Sequence, residues 1–118
     1  MIIITGASGF LGAGLVQLLR EYNINEEIVG VTRNPGCNGS VRLRSYQINN
    51  YREAGWLARI SKDVSTIIHC AGLAHVTKRS RNSDKQFDEF KEANLECTLD
   101  LAKQAAKAVL NDLFLSVR

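Results

Sequence analysis

The sequence predicts an α/β fold, a Rossmann-type doubly wound parallel sheet that is incomplete and has about five strands. Two observations predict it. Short apolar runs rich in β-branched residues alternate with segments of helical periodicity, a pattern typical of parallel strands joined by right-handed crossovers. The first run is followed at once by three glycines spaced three residues apart. We interpret residues 1–118 as one domain.

The first half of the chain is predicted to supply two buried strands and a helix. Residues 2–4 suit the central strand of the sheet, and residues 28–32 form a second β-branched run. Residues 10–22 have the apolar spacing of a helix, and residues 23–25 are predicted to form the turn that follows it. The helix is expected to bury one stripe, namely Leu11, Leu15, Leu18, Leu19 and Tyr22.

A loop, a third strand and a short helix are predicted next. Turn-forming residues between 34 and 39 indicate the loop. Residues 41–48 alternate apolar and polar side chains, which indicates a strand nearer the edge of the sheet. Residues 53–60 can form a helix that buries Trp56 and Leu57.

The last part of the chain is predicted to contain a strand, a long helix and a final strand. Residues 64–70 are apolar on both faces. Ser83 or Asp84 can cap a helix that reaches to about residue 109, and residues 113–117 are predicted as the fifth strand. The inward stripe of the long helix is expected to be Phe87, Phe90, Asn94, Thr98, Leu101 and Ala105.

Composition and charge argue against several classes of protein. The net charge of +3 is too small to indicate a nucleic-acid partner. No apolar run approaches the roughly 20 residues of a membrane span, and no basic leader precedes the N-terminal apolar run as in a signal peptide. Cys37, Cys70 and Cys97 lack metal-ligand spacing. We expect reduced thiols in a cytoplasmic protein without a metal site, with the last two cysteines in the core.

The most specific feature is the glycine-rich segment between the first predicted strand and the first predicted helix. Gly6 would allow a tight turn, Gly9 would let the backbone approach a pyrophosphate, and Gly12 would permit close helix packing. The helix beginning near Phe10 would direct free N–H groups and its positive dipole end at the phosphates. A glycine-rich turn without a ligand is the alternative, but the context on both sides favours a dinucleotide.

The chain resembles a known family, beginning at residues 5–12, TGASGFLG. This segment is similar to the Thr-Gly-x-x-Gly-x-x-Gly motif of the extended short-chain dehydrogenase/reductase superfamily, which includes the nucleotide-sugar epimerases and dehydratases. Residues 66–72, TIIHCAG, resemble the family's fourth-strand motif, and residues 94–98, NLECT, its Asn-Val-x-Gly-Thr helix motif. The match covers essentially the whole chain and looks closest to members acting on UDP-sugars in surface-polysaccharide biosynthesis. It implies oxidoreductase or isomerase chemistry, NAD or NADP as the cofactor, and a nucleotide sugar as a partner of the full-length family.

The resemblance also implies where the cofactor lies. Arg33 follows the second strand, at the position facing the adenosine ribose, where an arginine suits a 2′-phosphate or stacks on adenine. NADP and NAD both stay open, as does an Arg33 that points to solvent. Gln47 replaces a family Asp that holds the adenine, whereas Ile48 keeps the apolar wall. The predicted cofactor-binding residues are Gly6, Ser8, Gly9, Phe10, Leu11, Gly12, Thr32, Arg33, Asn34, Gln47, Ile48, Cys70, Ala71, Gly72 and Asn94.

Asn94 and two histidines need separate interpretation. Asn94 is expected to face inward with its amide buried and hydrogen-bonded. The matching Asn of the family helps to order the helix and the cofactor side of the site, and a purely structural role stays open. His75 matches a histidine of some members, and His69 is expected to be packed with a satisfied ring nitrogen. Neither is predicted to be catalytic.

Family chemistry requires a Tyr-x-x-x-Lys pair, whose Tyr acts as acid or base on a sugar hydroxyl, and this sequence contains none. Ser116 lies where the family's serine run begins, but the next two residues depart from it. Ala108 and Asp112 replace a helix-ending Gly and an apolar strand residue, which weakens the last strand. We therefore expect a chain truncated before the catalytic region and inactive alone.

Two alternatives stay open at this point. The chain could be a non-catalytic dinucleotide-binding or sensing module that uses the fold without the Tyr–Lys pair. It could also fold only as a homo-oligomer, because an open sheet edge needs covering.

Overall fold

A computed structural model of the chain describes residues 1–33, 44–60, 63–73, 83–108 and 112–115. Its elements, in chain order, are β1 (Ile2–Thr5), α1 (Phe10–Glu21), β2 (Ile28–Thr32), β3 (Arg44–Gln47), α2 (Trp56–Ile60), β4 (Thr66–His69), α3 (Ser83–Phe90), a π-helical segment (Lys91–Glu96), α4 (Cys97–Lys107) and β5 (Asp112–Leu115). The five strands form one parallel sheet in the order β3-β2-β1-β4-β5. The predicted fold class is confirmed.

The strand order makes β1 central and reverses the direction of winding between β1 and β4. Alternate residues of β1 therefore enter two cores. Ile3 packs in a cluster with Trp56, Leu57 and Leu101, below α2 and α4. On the other face, Ile2 and Ile4 pack with Val16 of α1. Both faces of β1 are buried, which is why its sequence is a continuous apolar run.

The predicted inner stripe of α1 is wrong for three of its five residues. Leu15 and Leu19 are half-buried against the sheet, but Leu11, Leu18 and Tyr22 are 39%, 48% and 73% exposed. The cause is the close approach of the helix at Gly12, where an added Cβ would lie 2.3 Å from the Gly6 carbonyl oxygen. The fully buried positions are Gly12 and Val16, so the helix is rotated relative to the stripe predicted from its leucines.

The long C-terminal helix is interrupted rather than continuous. Its end, α4, buries Leu101 and Ala105 as predicted. Phe87, however, is 69% exposed, and Asn94 is exposed as well. The six-residue π-helical segment, which contains Asn94, accounts for both, because its i→i+5 bonding shifts the phase of its own residues and of α3 relative to α4.

Several boundaries differ from the prediction. The short helix begins at Trp56 and buries that residue and Leu57 as expected. The third strand is described over Arg44–Gln47 and the fifth over Asp112–Leu115, whereas residues 34–43 and 116–118 lie outside the described ranges.

Cys97 is buried as predicted, but Cys70 is only half-buried. In the described part of the chain, no helix is long and apolar enough to cross a membrane.

Candidate functional site

The turn that leaves β1 requires glycine at residue 6. Gly6 has a φ of +65°, in the left-handed region that favours glycine, and its N–H donates to the Val31 carbonyl at 3.0 Å. A Cβ at this position would lie 2.7 Å from the Ala71 nitrogen. The carboxyl ends of β1, β2 and β4 therefore converge at this turn.

The other two glycines differ in the space around them. At Gly12 a Cβ would collide with the Gly6 carbonyl, whereas at Gly9 it would lie 3.2 Å from that oxygen and Gly9 itself is exposed. Gly9 precedes α1 without a side-chain cap, and no acidic residue lies in the first turn. The first N–H groups of this 12-residue helix, at the positive end of its dipole, therefore have no side-chain cap.

A cleft with two compartments runs across the carboxyl ends of the central strands. The first, of about 190 Å³, is lined by Gly6, Ser8, Gly9, Thr32, Arg33, Tyr51, Cys70, Ala71 and Gly72. The second, of about 310 Å³, is lined by Arg33, Asn50, Tyr51, Ala71, Gly72, Leu73, Glu89, Glu92, Ala93 and Cys97. Arg33 and Tyr51 belong to both. Eight of the predicted residues therefore share the first compartment, on the side where the phosphate loop lies.

Other predicted residues lie outside these compartments. The Phe10 side chain is 94% exposed and lines neither compartment. Ile48 is 3% exposed and packs in the core, with its N–H donating to the Thr32 carbonyl at 3.1 Å. Gln47 is exposed, and its Nε2 donates to the Arg33 carbonyl at 3.3 Å. Asn34 lies outside the described residues.

Asn94 is exposed rather than buried, yet both of its amide groups are paired. Its Nδ2 donates to the Leu73 carbonyl at 2.9 Å, and its Oδ1 accepts from the Leu73 N–H at 2.7 Å. A Cβ on Gly72 would lie 2.8 Å from the same Oδ1. The π-helical segment thus holds the chain that leaves β4, in keeping with the structural alternative stated for Asn94.

His69 is buried on β4 beside β1. Its Nδ1 is 2.6 Å from Thr5 Oγ1, which confirms one satisfied ring nitrogen. Its Nε2 is buried and has no partner among the described residues. Burial lowers the pKa of this imidazole below its usual value, so the neutral form is favoured. His75 lies outside the described ranges.

Two buried groups at the cleft retain their protons. Burial raises the pKa of the Cys97 thiol and of the Tyr51 phenol above their usual values. The sequence analysis did not identify Tyr51 as a site residue. A tyrosine after a predicted strand does not by itself indicate that its hydroxyl contacts the Gly6 N–H. Among the described residues, no group of three or more His, Cys, Asp or Glu could hold a metal ion.

Comparison with known proteins gives one family and many related structures. The sequence model of the NAD dependent epimerase/dehydratase family matches residues 2–117. No curated protein sequence matches the chain significantly.

Two of the related solved structures share the fold and more than 25% sequence identity with this chain. MoeE5, in complex with UDP-glucose and NAD, is 29% identical with a TM-score of 0.75; the match covers 97% of this chain and 35% of that one. The dTDP-glucose 4,6-dehydratase DesIV from Streptomyces venezuelae, with NAD and TYD bound, is 26% identical with a TM-score of 0.74; coverage is 95% and 37%.

A third structure is alike in fold alone. The UDP-glucose-4-epimerase from Stenotrophomonas maltophila, with bound NAD and formylated UDP-arabinopyranose, has a TM-score of 0.78 at 16% identity, with coverage of 97% and 35%. The chain spans about a third of the length of these three proteins.

Proposed function

The chain belongs to the NAD dependent epimerase/dehydratase family, and from this premise we propose that it is the NAD-binding portion of a nucleotide-sugar epimerase or dehydratase. The observation that carries the proposal is the glycine turn. At Gly6 and Gly12 a Cβ would collide with backbone, while exposed Gly9 borders the cleft beside an uncapped helix N-terminus. Backbone N–H groups at such an N-terminus bind a pyrophosphate.

The cleft also suits the rest of a dinucleotide. Arg33 borders both compartments and would lie near the adenosine ribose, while Ala71 and Gly72 leave room on the β4 side. MoeE5 and DesIV were solved with NAD, which supports NAD as the cofactor. Arg33 would also attract the 2′-phosphate of NADP, so both dinucleotides belong in the test.

When bound, the nicotinamide would accept or return a hydride in sugar chemistry of this family. Because the 118 residues contain no Tyr-x-x-x-Lys pair, we assign them cofactor binding and orientation and no proton transfer. A non-catalytic sensing module would bind the cofactor in the same way and differ only in the absence of turnover by the whole protein. We further propose a cytoplasmic location for the whole protein and a nucleotide sugar as its partner.

Calorimetric titration with NAD and NADP tests the proposal on wild type, Gly9→Val and Gly14→Ala. Gly9 is exposed, and an added Cβ there is close only to the Gly6 carbonyl oxygen, at 3.2 Å. A valine should therefore obstruct the pyrophosphate while the buried core stays in place. Gly14, also exposed and with nothing within 4 Å of an added Cβ, supplies the matched control. We expect at least about tenfold weaker binding by Gly9→Val, the loss of one charge-assisted hydrogen bond, and wild-type binding by Gly14→Ala. Equal binding by all three proteins would remove the phosphate-loop assignment.

A further inference from the structure

Tyr51 is held rigidly in the turn between β3 and α2. Its carbonyl accepts a hydrogen bond from Trp56 Nε1 at 3.0 Å, and its ring meets the Trp56 ring edge-on, with centroids 6.2 Å apart. On the other side it makes a second edge-on contact, 6.1 Å, with His69. The side chain is 6% exposed. The phenol therefore has one position, set by aromatic neighbours from α2 and β4.

The Tyr51 hydroxyl bridges the ends of the two strands that support the glycine loop. It donates to the Val31 carbonyl at 3.0 Å and accepts from the Gly6 N–H at 3.0 Å. The Gly6 N–H also points to the Val31 carbonyl at 3.0 Å, so the three groups form a closed triangle. The first glycine of the loop is thus tied to β2 both directly and through a phenol.

The same side chain borders both compartments of the cleft. One compartment contains the glycine loop, and the other extends toward Asn50 and Glu92. A shift of the ring would therefore change the loop and the junction of the compartments together.

We propose that Tyr51 is a positioning residue of the dinucleotide site, whose hydroxyl holds the Gly6 amide and thereby sets the phosphate loop for a pyrophosphate. The proposal rests on the function proposed above. Tyr51 acts through Gly6 rather than on a reacting atom. Removal of its hydroxyl should therefore weaken the binding of ligands that carry a diphosphate and leave the binding of other ligands unchanged.

The test compares NAD, ADP and adenosine as ligands of wild type, Tyr51→Phe and Tyr46→Phe. Tyr46 is a half-buried tyrosine of β3 that packs against the same core but lines neither compartment, so it is the matched control. We expect Tyr51→Phe to bind NAD and ADP about three- to tenfold more weakly, as for one hydrogen bond. Its adenosine affinity, and all affinities of Tyr46→Phe, should equal those of wild type.

The test distinguishes a failure of the proposed function from a failure of the role of Tyr51. If the wild-type protein binds neither NAD nor ADP, both the proposed function and this inference are overturned. Wild type that binds both, with unchanged affinities in Tyr51→Phe, overturns the role of Tyr51 alone. An equal loss of adenosine affinity also overturns that role, since it would indicate general distortion of the cleft.

A second measurement needs no variant at residue 51. The chain has three tyrosines, so wild type labelled with 3-fluorotyrosine gives three fluorine resonances, assigned with Tyr22→Phe and Tyr46→Phe. The Tyr51 resonance should move further on titration with ADP than on titration with adenosine. If the Tyr51 resonance does not move when ADP is added, the proposal is overturned, even if Tyr51→Phe does not fold.

Discussion

Asn94 and Leu73 are joined by two reciprocal hydrogen bonds, each backbone group of Leu73 meeting the complementary end of the Asn94 amide. The pair links a π-helical turn to the segment that leaves β4, next to Gly72, which lines both compartments of the cleft. A π-helical turn interrupts the regular α-helical hydrogen-bond pattern, and such turns are common at functional sites. Here it presents the Asn94 amide to the Leu73 backbone, next to the cleft.

Asn94→Asp should destabilise the chain, because a carboxylate oxygen replaces the donor that faces the Leu73 carbonyl. Because the pair is exposed, we expect a loss of about 0.5–1.5 kcal/mol in the free energy of unfolding at neutral pH, the contribution of one ordinary hydrogen bond. Urea unfolding measures it, and amide hydrogen exchange at Leu73 should accelerate in the same variant. Unchanged stability together with unchanged exchange would contradict the importance of this pair.

Two glycines of α1 should respond oppositely to alanine. Gly12→Ala places a Cβ 2.3 Å from the Gly6 carbonyl and should lower the free energy of unfolding by about 1–3 kcal/mol or more. Gly14→Ala meets nothing and should raise it by about 0.5–1 kcal/mol, the usual gain in a helix interior. Denaturant unfolding of both variants tests this; a change of the same sign in both would be contrary to the close approach at Gly12.

His69 should make stability depend on pH. Its pKa is lowered from 6.5 by burial, so as the pH falls the unfolded chain takes up a proton before the folded chain does. The free energy of unfolding should therefore decrease from pH 6.5 down to the folded-state pKa, by at most about 1.4 kcal/mol per pH unit. His69→Phe should flatten this slope between about pH 6.5 and 5.5, above the range in which most carboxylates titrate. Parallel slopes for the two proteins would assign the pH dependence to other groups.

The strands and the glycine loop could be predicted because their signals are local. β1, β2 and β4 are rich in β-branched residues, and Gly6, Gly9 and Gly12 occur between a strand and a helix. Neither signal requires knowledge of a distant contact.

What could not be predicted depends on contacts between distant segments. The rotation of α1 follows from the close approach of Gly12 to Gly6, and the spacing of the leucines does not predict that contact. The phase of α3 depends on a π-helical turn that has no distinct periodicity in the sequence. Tyr51 reaches Gly6 across 45 residues of chain, so its place at the cleft emerges only from the fold.

Arg33 should bias the cleft toward NADP relative to NAD. It borders both compartments at the end of β2, and a charge-assisted contact with a 2′-phosphate contributes about 1.5–3 kcal/mol. Arg33→Asp should therefore lower the ratio of NADP to NAD affinity at least about tenfold. Titration of both cofactors into both proteins measures the ratio. If it is unchanged, the guanidinium faces solvent when the cofactor is bound.

The 118-residue chain should show no epimerase, dehydratase or dehydrogenase turnover. It contains no Tyr-x-x-x-Lys pair to exchange the proton of a sugar hydroxyl, and general acid–base catalysis of this kind contributes roughly two to four orders of magnitude. The loss should be larger if no residue holds the sugar beside the nicotinamide, since positioning lowers the barrier as well. UDP-glucose and UDP-N-acetylglucosamine with each cofactor, followed by nicotinamide absorbance and sugar products, provide the assay. Turnover that Gly9→Val abolishes would show a catalytic group elsewhere in the chain, and His75 would be the first residue to replace.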